Sequence, residues 1–530
     1  MRTPWNSLQV LLSLAFVAGM PGTADAEPLV PKLNLGTNRL VINEDDSHFY
    51  MSRTADEMTM EGLHAWVDQY AGTKVSHLFL CPNAMKASFR SNVWDAIWDI
   101  DGQEIPEGDE VAKRWISNAR LLNERGLDPY AVWIARCREK GISPWLSMRM
   151  NDIHYVDNPK AYIHSHFWVQ HPDYWRVPGS TSGWIDRAFD YGIPEVREYH
   201  MKFIRELLER YDADGLELDW MRFGYHFKPG HEKEGVEILT AFMRDVRKLT
   251  LDWSAKRGHP VKLGARVPTH PDAAVGLGMD GVTWVREGLV DMLVPTPFWA
   301  TTDFDIPIEL WRERIGPSVK NIVLAAGGEI LLRAYPGANA IENDIASARG
   351  FAAASLHRGA DQIYLFNYMD PEPMKGEPGA YRTLLEKGLS LDVVTTAPRR
   401  HVVTYRDTVP TGMSNDAALP VEGNKGGTFR IYSGPTPKQG RVTFLAGLPK
   451  RDGVEKATFE VFLNDIPCKP IDDYEHPDQF PGAIRAIQFE CPISDMKEGY
   501  NQLRIKQHPG QTEQQIIWAE LRIEPLSPSP

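Results

Sequence analysis

From residue 74 to residue 367, apolar runs of strand length alternate with longer stretches in which apolar residues return at helical spacing. The runs are 74–82, 142–150, 184–191, 215–219, 261–267, 290–296, 321–327 and 361–367, preceded by a polar, turn-rich stretch at 34–46 and a helical pattern over 55–70. Between them, 111–140, 195–210, 234–257, 275–288, 308–315 and 339–358 read as helices, with Pro194 at a favoured first-turn position and Gly141 as a C-terminal cap. Strands separated by helices imply parallel pairing, and eight of them over roughly 300 residues predict a closed (β/α)8 barrel. After Leu389 the helical period stops. Short alternating runs at 428–432, 441–445, 457–463, 483–489, 502–506 and 515–523 predict an all-β, jelly-roll-like sandwich. The expected layout is a leader over 1–26, a barrel over 27–390, a linker over 391–415 and a sandwich over 416–525.

Composition narrows the classes. The chain has 530 residues, 42% of them hydrophobic, enough for a large core and several domains. Met1-Arg2, the apolar run 10–20 and the small-x-small sequence Ala24-Asp25-Ala26 have the form of a secretory signal peptide, so an exported protein is expected, secreted or periplasmic. No later apolar stretch is long enough to suggest a membrane anchor. A net charge of −13 argues against nucleic acid or an anionic membrane as partner and is compatible with a neutral polymer. Four cysteines are too few for a disulfide framework. Cys81 and Cys137 sit in apolar contexts, and Cys468 and Cys491 are candidates to pair across a sheet.

The chemistry concentrates in YDADGLELDWMRF over residues 211–223. In an extended strand Glu217 and Asp219 share a face, ~6.6 Å apart along the backbone, while Leu216 and Leu218 take the other face. Neighbouring buried carboxylates have their pKa values pushed apart, which suits acid/base work; the structural alternative is a pair neutralised by Arg222. In a (β/α)8 barrel, functional groups stand where strands run into their following loops. That rule selects Asn83, Arg149, Asn151, Asp219, Arg266, Trp299, Glu329 and Asn367.

The segment PEVREY at 194–199 followed by YDADGLELDWMRF resembles the family-10-like glycosyl hydrolases, barrel proteins usually found among exported chains. RMNDIH at 149–154 and GADQIYLFN at 359–367 are similar to this kind of protein too, so the likeness covers roughly residues 75–370. It implies glycosidase chemistry on a poly- or oligosaccharide and puts Asp219 among the active-site acids. No cofactor is implied, and the sandwich lies outside the likeness.

Glycoside hydrolysis ordinarily uses one protonated and one ionised carboxyl on opposite sides of the sugar. Glu217 and Asp219 share one side, so Asp219 takes the reacting role and Glu217 an orienting one. The partner is expected from across the barrel: Glu329 first, with Asp303 and Asp305 in reserve, and with pairing to Arg333 as the structural alternative for Glu329. Arg149, Asn151, His154 and Arg222 are candidates for sugar hydroxyls, although Arg222 has the alternative of pairing with Glu217. Trp94 and Trp299 are candidates for stacking on a pyranose face. Two rival readings remain open: a barrel that binds carbohydrate without cleaving it, and a metal-dependent hydrolase built on His164 and His166.

Overall fold

The computed structural model describes residues 39–45, 47–369 and 379–526; the expected leader lies outside them. Eight parallel strands close into a barrel: β1 (Leu40–Glu44), β2 (Val75–Leu80), β3 (Ser143–Arg149), β4 (Gly215–Asp219), β5 (Lys262–Val267), β6 (Met292–Pro295), β7 (Val323–Glu329) and β8 (Gln362–Phe366). The ring closes where β1 pairs with β8 on one side and β2 on the other. The expected barrel is present, with two differences in its strands. The first strand is Leu40–Glu44, within the stretch taken as turn-rich; it is only five residues long, and polar Asn43 and Glu44 are buried in it. Residues 184–191, expected as the third strand, instead form a 3-10 turn at Ile185–Arg187 and one bridge from Phe189 to Trp175, inside a long excursion after β3. The two differences offset each other, so Asp219 still ends the fourth strand.

Local chemistry also divides two expected helices. Asp128 caps a new helix at Pro129, with its carboxylate accepting from the N–H groups of Tyr130 and Ala131, so 111–140 is Glu110–Glu124 followed by Pro129–Glu139. Asp280 caps Gly281–Arg286 in the same way, dividing 275–288 from the preceding Pro271–Gly276.

The barrel interior is layered. At its base Trp145 stacks on Phe79, and a side chain at Gly215 would stand 2.4 Å from the indole, so the glycine that opens β4 makes room for Trp145. Val41, Met292, Val294, Val323 and Ala325 pack around it. Leu216 and Leu218 face outward into the larger core beneath the helices, leaving Glu217 and Asp219 to point inward, as alternation requires.

The second unit is antiparallel, with sheets of five and four strands. Its first strand, Arg399–Val402, pairs with Trp518–Pro525 and lies within the stretch expected as linker. It packs against the barrel helix Ile345–His357, where Gly350 lets the backbone of Arg400 come so close that a Cβ would fall 1.8 Å from its carbonyl oxygen. Cys468 immediately precedes the strand Lys469–Ile471 and Cys491 ends the strand paired with it, with their sulfurs 2.9 Å apart; Cys81 and Cys137 are buried.

Candidate active site

Two residues along β3 and β4 from Trp145 and Gly215, a polar layer surrounds Glu217. Its Oε1 accepts hydrogen bonds from Ser147 at 2.7 Å and Tyr364 at 2.8 Å, with Asn43 at 3.4 Å, and Asn43 also donates to the Tyr364 hydroxyl at 2.6 Å. Burial, followed by the charge of Asp219, pushes Glu217 up to about 7. Glu217 is fully buried and bonds to neither Arg222 nor Asp219; it belongs to the layer beneath the barrel mouth.

At the strand ends, Arg149, Asp219 and Arg266 stand in register on β3, β4 and β5. Asp219 Oδ1 accepts the N–H groups of Met221 and Arg222 at 3.0 and 2.9 Å, bending the chain out of the strand, and its Oδ2 accepts from Arg266 at 2.7 Å. Arg266, expected as a substrate ligand, is therefore the buried partner of Asp219, with its guanidinium 3.9 Å from the centre of the Phe366 ring. Arg222 is not the cation that neutralises these acids.

Glu329 ends β7. Thr302 and Asn343 clamp its backbone, and Asn367 Nδ2 donates to its Oε1 at 2.9 Å. Its Oε2 has no hydrogen-bond partner. The two preceding glycines are required: a side chain at Gly327 would meet Thr296 at 2.3 Å and one at Gly328 would meet Phe351 at 2.9 Å. Arg333 does not pair with Glu329; it donates to the carbonyls of Ala300 and Ala338. Burial pushes Glu329 up to about 8, outweighing Asn367, Arg222 and Arg266, which favour its charged form. The mouth therefore holds a carboxyl that keeps its proton at neutral pH and a second, Asp219, paired with a guanidinium.

Around these acids Arg149 pairs with Asp45 at 2.5 Å and Asp152 at 3.1 Å, while His154 contacts Asp152 at 2.7 Å and Arg222 Nη2 at 3.1 Å. Burial alone would raise Asp152, but His154, Arg149 and Arg222 hold it well below the usual carboxyl range. Asp45 and Asp152 were not expected from the sequence. The signal available was a buried basic residue at a strand end, which needs an acid within reach.

Several candidates lie elsewhere or serve the scaffold. Trp94 is stacked on Tyr199 and Phe203, with ring centres 4.6 and 4.2 Å away, and is 6% exposed, so no ring face is free for a sugar. Asn151 exchanges hydrogen bonds with the Phe189 backbone and donates to Tyr225, pinning the excursion after β3. Asn83 donates to the carbonyls of Arg149 and Ala84. Asp305 faces the sandwich, bonded to Arg358, Arg430 and Tyr500. Asp303 is buried, raised to about 6 by that burial, and 3.9 Å from Arg406. His164 contacts the His154 carbonyl and lies against Trp168, whereas His166 pairs with Asp95, so the two imidazoles serve different neighbours. Among the described residues, no group of three or more His, Cys, Asp and Glu is arranged to hold a metal ion. Trp299, in the loop after β6, is exposed.

Three non-glycine residues at the mouth, Tyr155, Phe223 and Asn367, have positive φ of 57°, 65° and 62°. Such conformations cost about 1–3 kcal/mol each and cluster at functional sites.

Comparison with known proteins agrees with the resemblance seen in the sequence. Residues 96–248 match the family model described as glycosyl hydrolase-like 10. The glycosyl hydrolase DigH of Escherichia coli O6:H1 is 23% identical over 189 aligned residues, covering 28% of this chain and 40% of that protein, so the match spans well under half of its length. Among solved structures, alpha-L-fucosidase isoenzyme 2 from Paenibacillus thiaminolyticus is 13% identical with a TM-score of 0.39, covering 68% of this chain and 50% of that one. The PgaB glycoside hydrolase domain from Bordetella bronchiseptica is 10% identical with a TM-score of 0.35, covering 66% of this chain and 96% of that one.

Proposed function

We propose that this protein is an exported glycoside hydrolase acting on a poly- or oligosaccharide, with Glu329 as general acid and Asp219 as the carboxylate that faces the developing positive charge on the sugar. The observation that carries the reading is the contrast between two strand-end carboxyls. Glu329 is buried, keeps its proton at neutral pH and has a free Oε2, whereas Asp219 is fixed by Arg266 and two backbone N–H groups. A carboxyl kept protonated by burial, together with a second carboxylate held in an ion pair, suits a division of acid and base roles. Similarity of residues 96–248 to the glycosyl hydrolase-like family supports the same reaction class.

In this reading Glu329 protonates the leaving glycosidic oxygen through Oε2 while Asn367 holds its other oxygen. Asp219 stabilises the oxocarbenium-like centre or attacks it. Glu217 keeps the layer beneath in place through Ser147 and Tyr364. A second reading, a barrel that binds sugar without cleaving it, is favoured by the full engagement of both Asp219 oxygens. A screen of the purified protein on a polysaccharide panel, beside Asp219→Asn and Glu329→Gln, separates the two. Reducing ends released by the native protein and lost in both variants support hydrolysis; saccharide binding with no release by the native protein supports the second reading.

A further inference from the structure

Beside the acids lies a cavity of about 390 Å³ whose wall includes His154, Tyr155, Trp184, Arg222, Phe298 and Trp299. Three of its aromatic rings face solvent: Tyr155, Trp184 and Trp299 are 50%, 41% and 38% exposed. Rigid exposed aromatic rings clustered around a cavity with a polar rim mark a ligand-binding surface and supply contact area at low entropic cost. Trp299 is held in this way. Its N–H and those of Phe298 and Ala300 all donate to one carboxylate, Asp407, at 2.9–3.0 Å, and Arg333 lies over its ring at 5.2 Å. Asp407 belongs to the segment that follows the sandwich strand Arg399–Val402 and lies against the loop after β6, which Thr404 and Arg406 also contact.

Ring orientation limits what fits. Trp184 lies nearly parallel to Phe298, at 19°, while Phe298 is at 88° to Trp299, so the two indoles form adjoining walls that stand close to perpendicular. A flat crystalline polymer needs coplanar rings; a single chain can lay successive sugar faces on walls that turn. The buried polar atoms on offer are donors, Arg222 Nε and Nη1, which have no hydrogen-bond partner and lie beside an Nη2 held by His154; at the rim stands the exposed carboxylate of Asp157, paired with Arg187. The charges of Arg222 and Arg149 are already opposed by Asp45 and Asp152, so the cavity offers N–H groups to hydroxyls without a surplus cation that would require an acidic sugar.

We infer that this cavity is a subsite for a single, soluble, neutral saccharide chain, stacked on Trp184 and Trp299, and that Asp407 is a positioning residue that fixes Trp299 for it. The inference rests on reading the neighbouring acids as a glycosidase pair, and it deepens that reading by naming the substrate class. The test uses the full-length protein carrying Glu329→Gln, so that binding is measured without turnover. It is applied to an array of soluble neutral oligosaccharides (cello-, chito-, xylo- and manno-series) and acidic ones (oligogalacturonates and oligoalginates), and to suspended cellulose and chitin. Neutral chains are expected to bind, with Trp184→Ala and Trp299→Ala each weakening the tightest by about ten-fold in titration calorimetry. Binding only to acidic chains, retention on the crystalline polymers, binding to nothing, or affinities unchanged in both tryptophan variants would each overturn the subsite.

Asp407→Asn is read by fluorine NMR of 5-fluorotryptophan-labelled protein, with Trp299 assigned through Trp299→Phe. The Trp299 resonance should shift or broaden while that of Trp184 stays in place. An unmoved Trp299 signal would remove the positioning role. Because binding is measured by calorimetry and hydrolysis by released reducing ends, loss of the subsite leaves the hydrolysis result standing, and absence of hydrolysis leaves the binding result standing.

Discussion

Glu329 and Glu217 carry the residue-scale consequences because burial shifts both in the same direction. Their folded values of about 8 and about 7 lie above the ordinary 4.5, so the folded protein binds more protons than the unfolded chain across that window. Their contribution to stability is present at low pH and is lost as pH rises from 4.5 through 7 to 8. His77, His164, His200, His226 and His401 are held below their ordinary 6.5 by burial and act in the opposite sense up to that pH, so the contribution of Glu329 is read above it: unfolding free energy by urea titration should fall between pH 7 and 8, and Glu329→Gln should flatten that fall. A wild-type stability that rises between 7 and 8 would contradict the proton held by Glu329. Asp219→Asn should act in two ways: activity falls, and stability drops by roughly 3–5 kcal/mol because Arg266 is left as an unpaired buried charge. Replacing Arg266 by Met in the same protein should recover stability and not activity, as urea unfolding and a rate assay would show. The strand-end rule and the alternation of β4 made Asp219, Glu329, Arg266 and Asn367 legible in the sequence. Partners such as Asp45 and Asp407 were not legible, because they reach the mouth from segments distant in the chain.

Among the elements, β4 depends on an absence. Gly215 faces the Trp145 indole at a distance where no Cβ fits, and a Cβ at Gly264 would stand 3.2 Å from the same ring. Gly215→Ala must push Trp145 off its stack with Phe79 and should cost about 1–3 kcal/mol in urea unfolding, with loss of the near-ultraviolet circular dichroism of the buried indole. An unchanged midpoint would show that the layer is looser than its geometry. The two strand misassignments have different physical causes. β1 has only three apolar residues, and its two polar ones are buried against polar partners, Asn43 inside the barrel with Ser147 and Tyr364 and Glu44 on the other face with Tyr70 and His48, so its pattern resembles a turn. Residues 184–191 carry strand-like side chains, but buried Arg176 donates to the Ile185 carbonyl and buried Arg187, from within the segment, donates to the Val156 carbonyl, which holds the segment as a folded loop.

For the molecule as a whole, the barrel and the sandwich share one buried charge cluster. Arg400 donates to Glu520 at 2.7 Å and to Asp344, the N-cap of the barrel helix Ile345–His357, while Arg522 also pairs with Glu520. Burial opposes the charge on Glu520, yet Arg400 and Arg522 pull it down to about 2. Its contribution is thus present above 4.5 and lost as pH falls through about 2. Glu520→Gln should lower stability at neutral pH by roughly 3–5 kcal/mol and remove this part of the acid sensitivity, both readable by circular dichroism. A neutral-pH stability equal to wild type would show that the cluster does not join the two units. The two-unit plan was legible from the change of hydrophobic period near residue 390. The contact between the units was not, because it rests on single residues, Gly350, Arg400 and Asp407, that carry no periodic signal.

The acid role of Glu329 is tested most directly by the rate of Glu329→Gln relative to wild type on the best saccharide from the panel, measured on the natural glycoside and on the same sugar bearing a dinitrophenyl leaving group. The account predicts a loss of about 10²–10⁴-fold on the natural glycoside and little loss on the dinitrophenyl glycoside, whose departure needs no proton. An undiminished rate on the natural glycoside, or an equal loss on both, would contradict it.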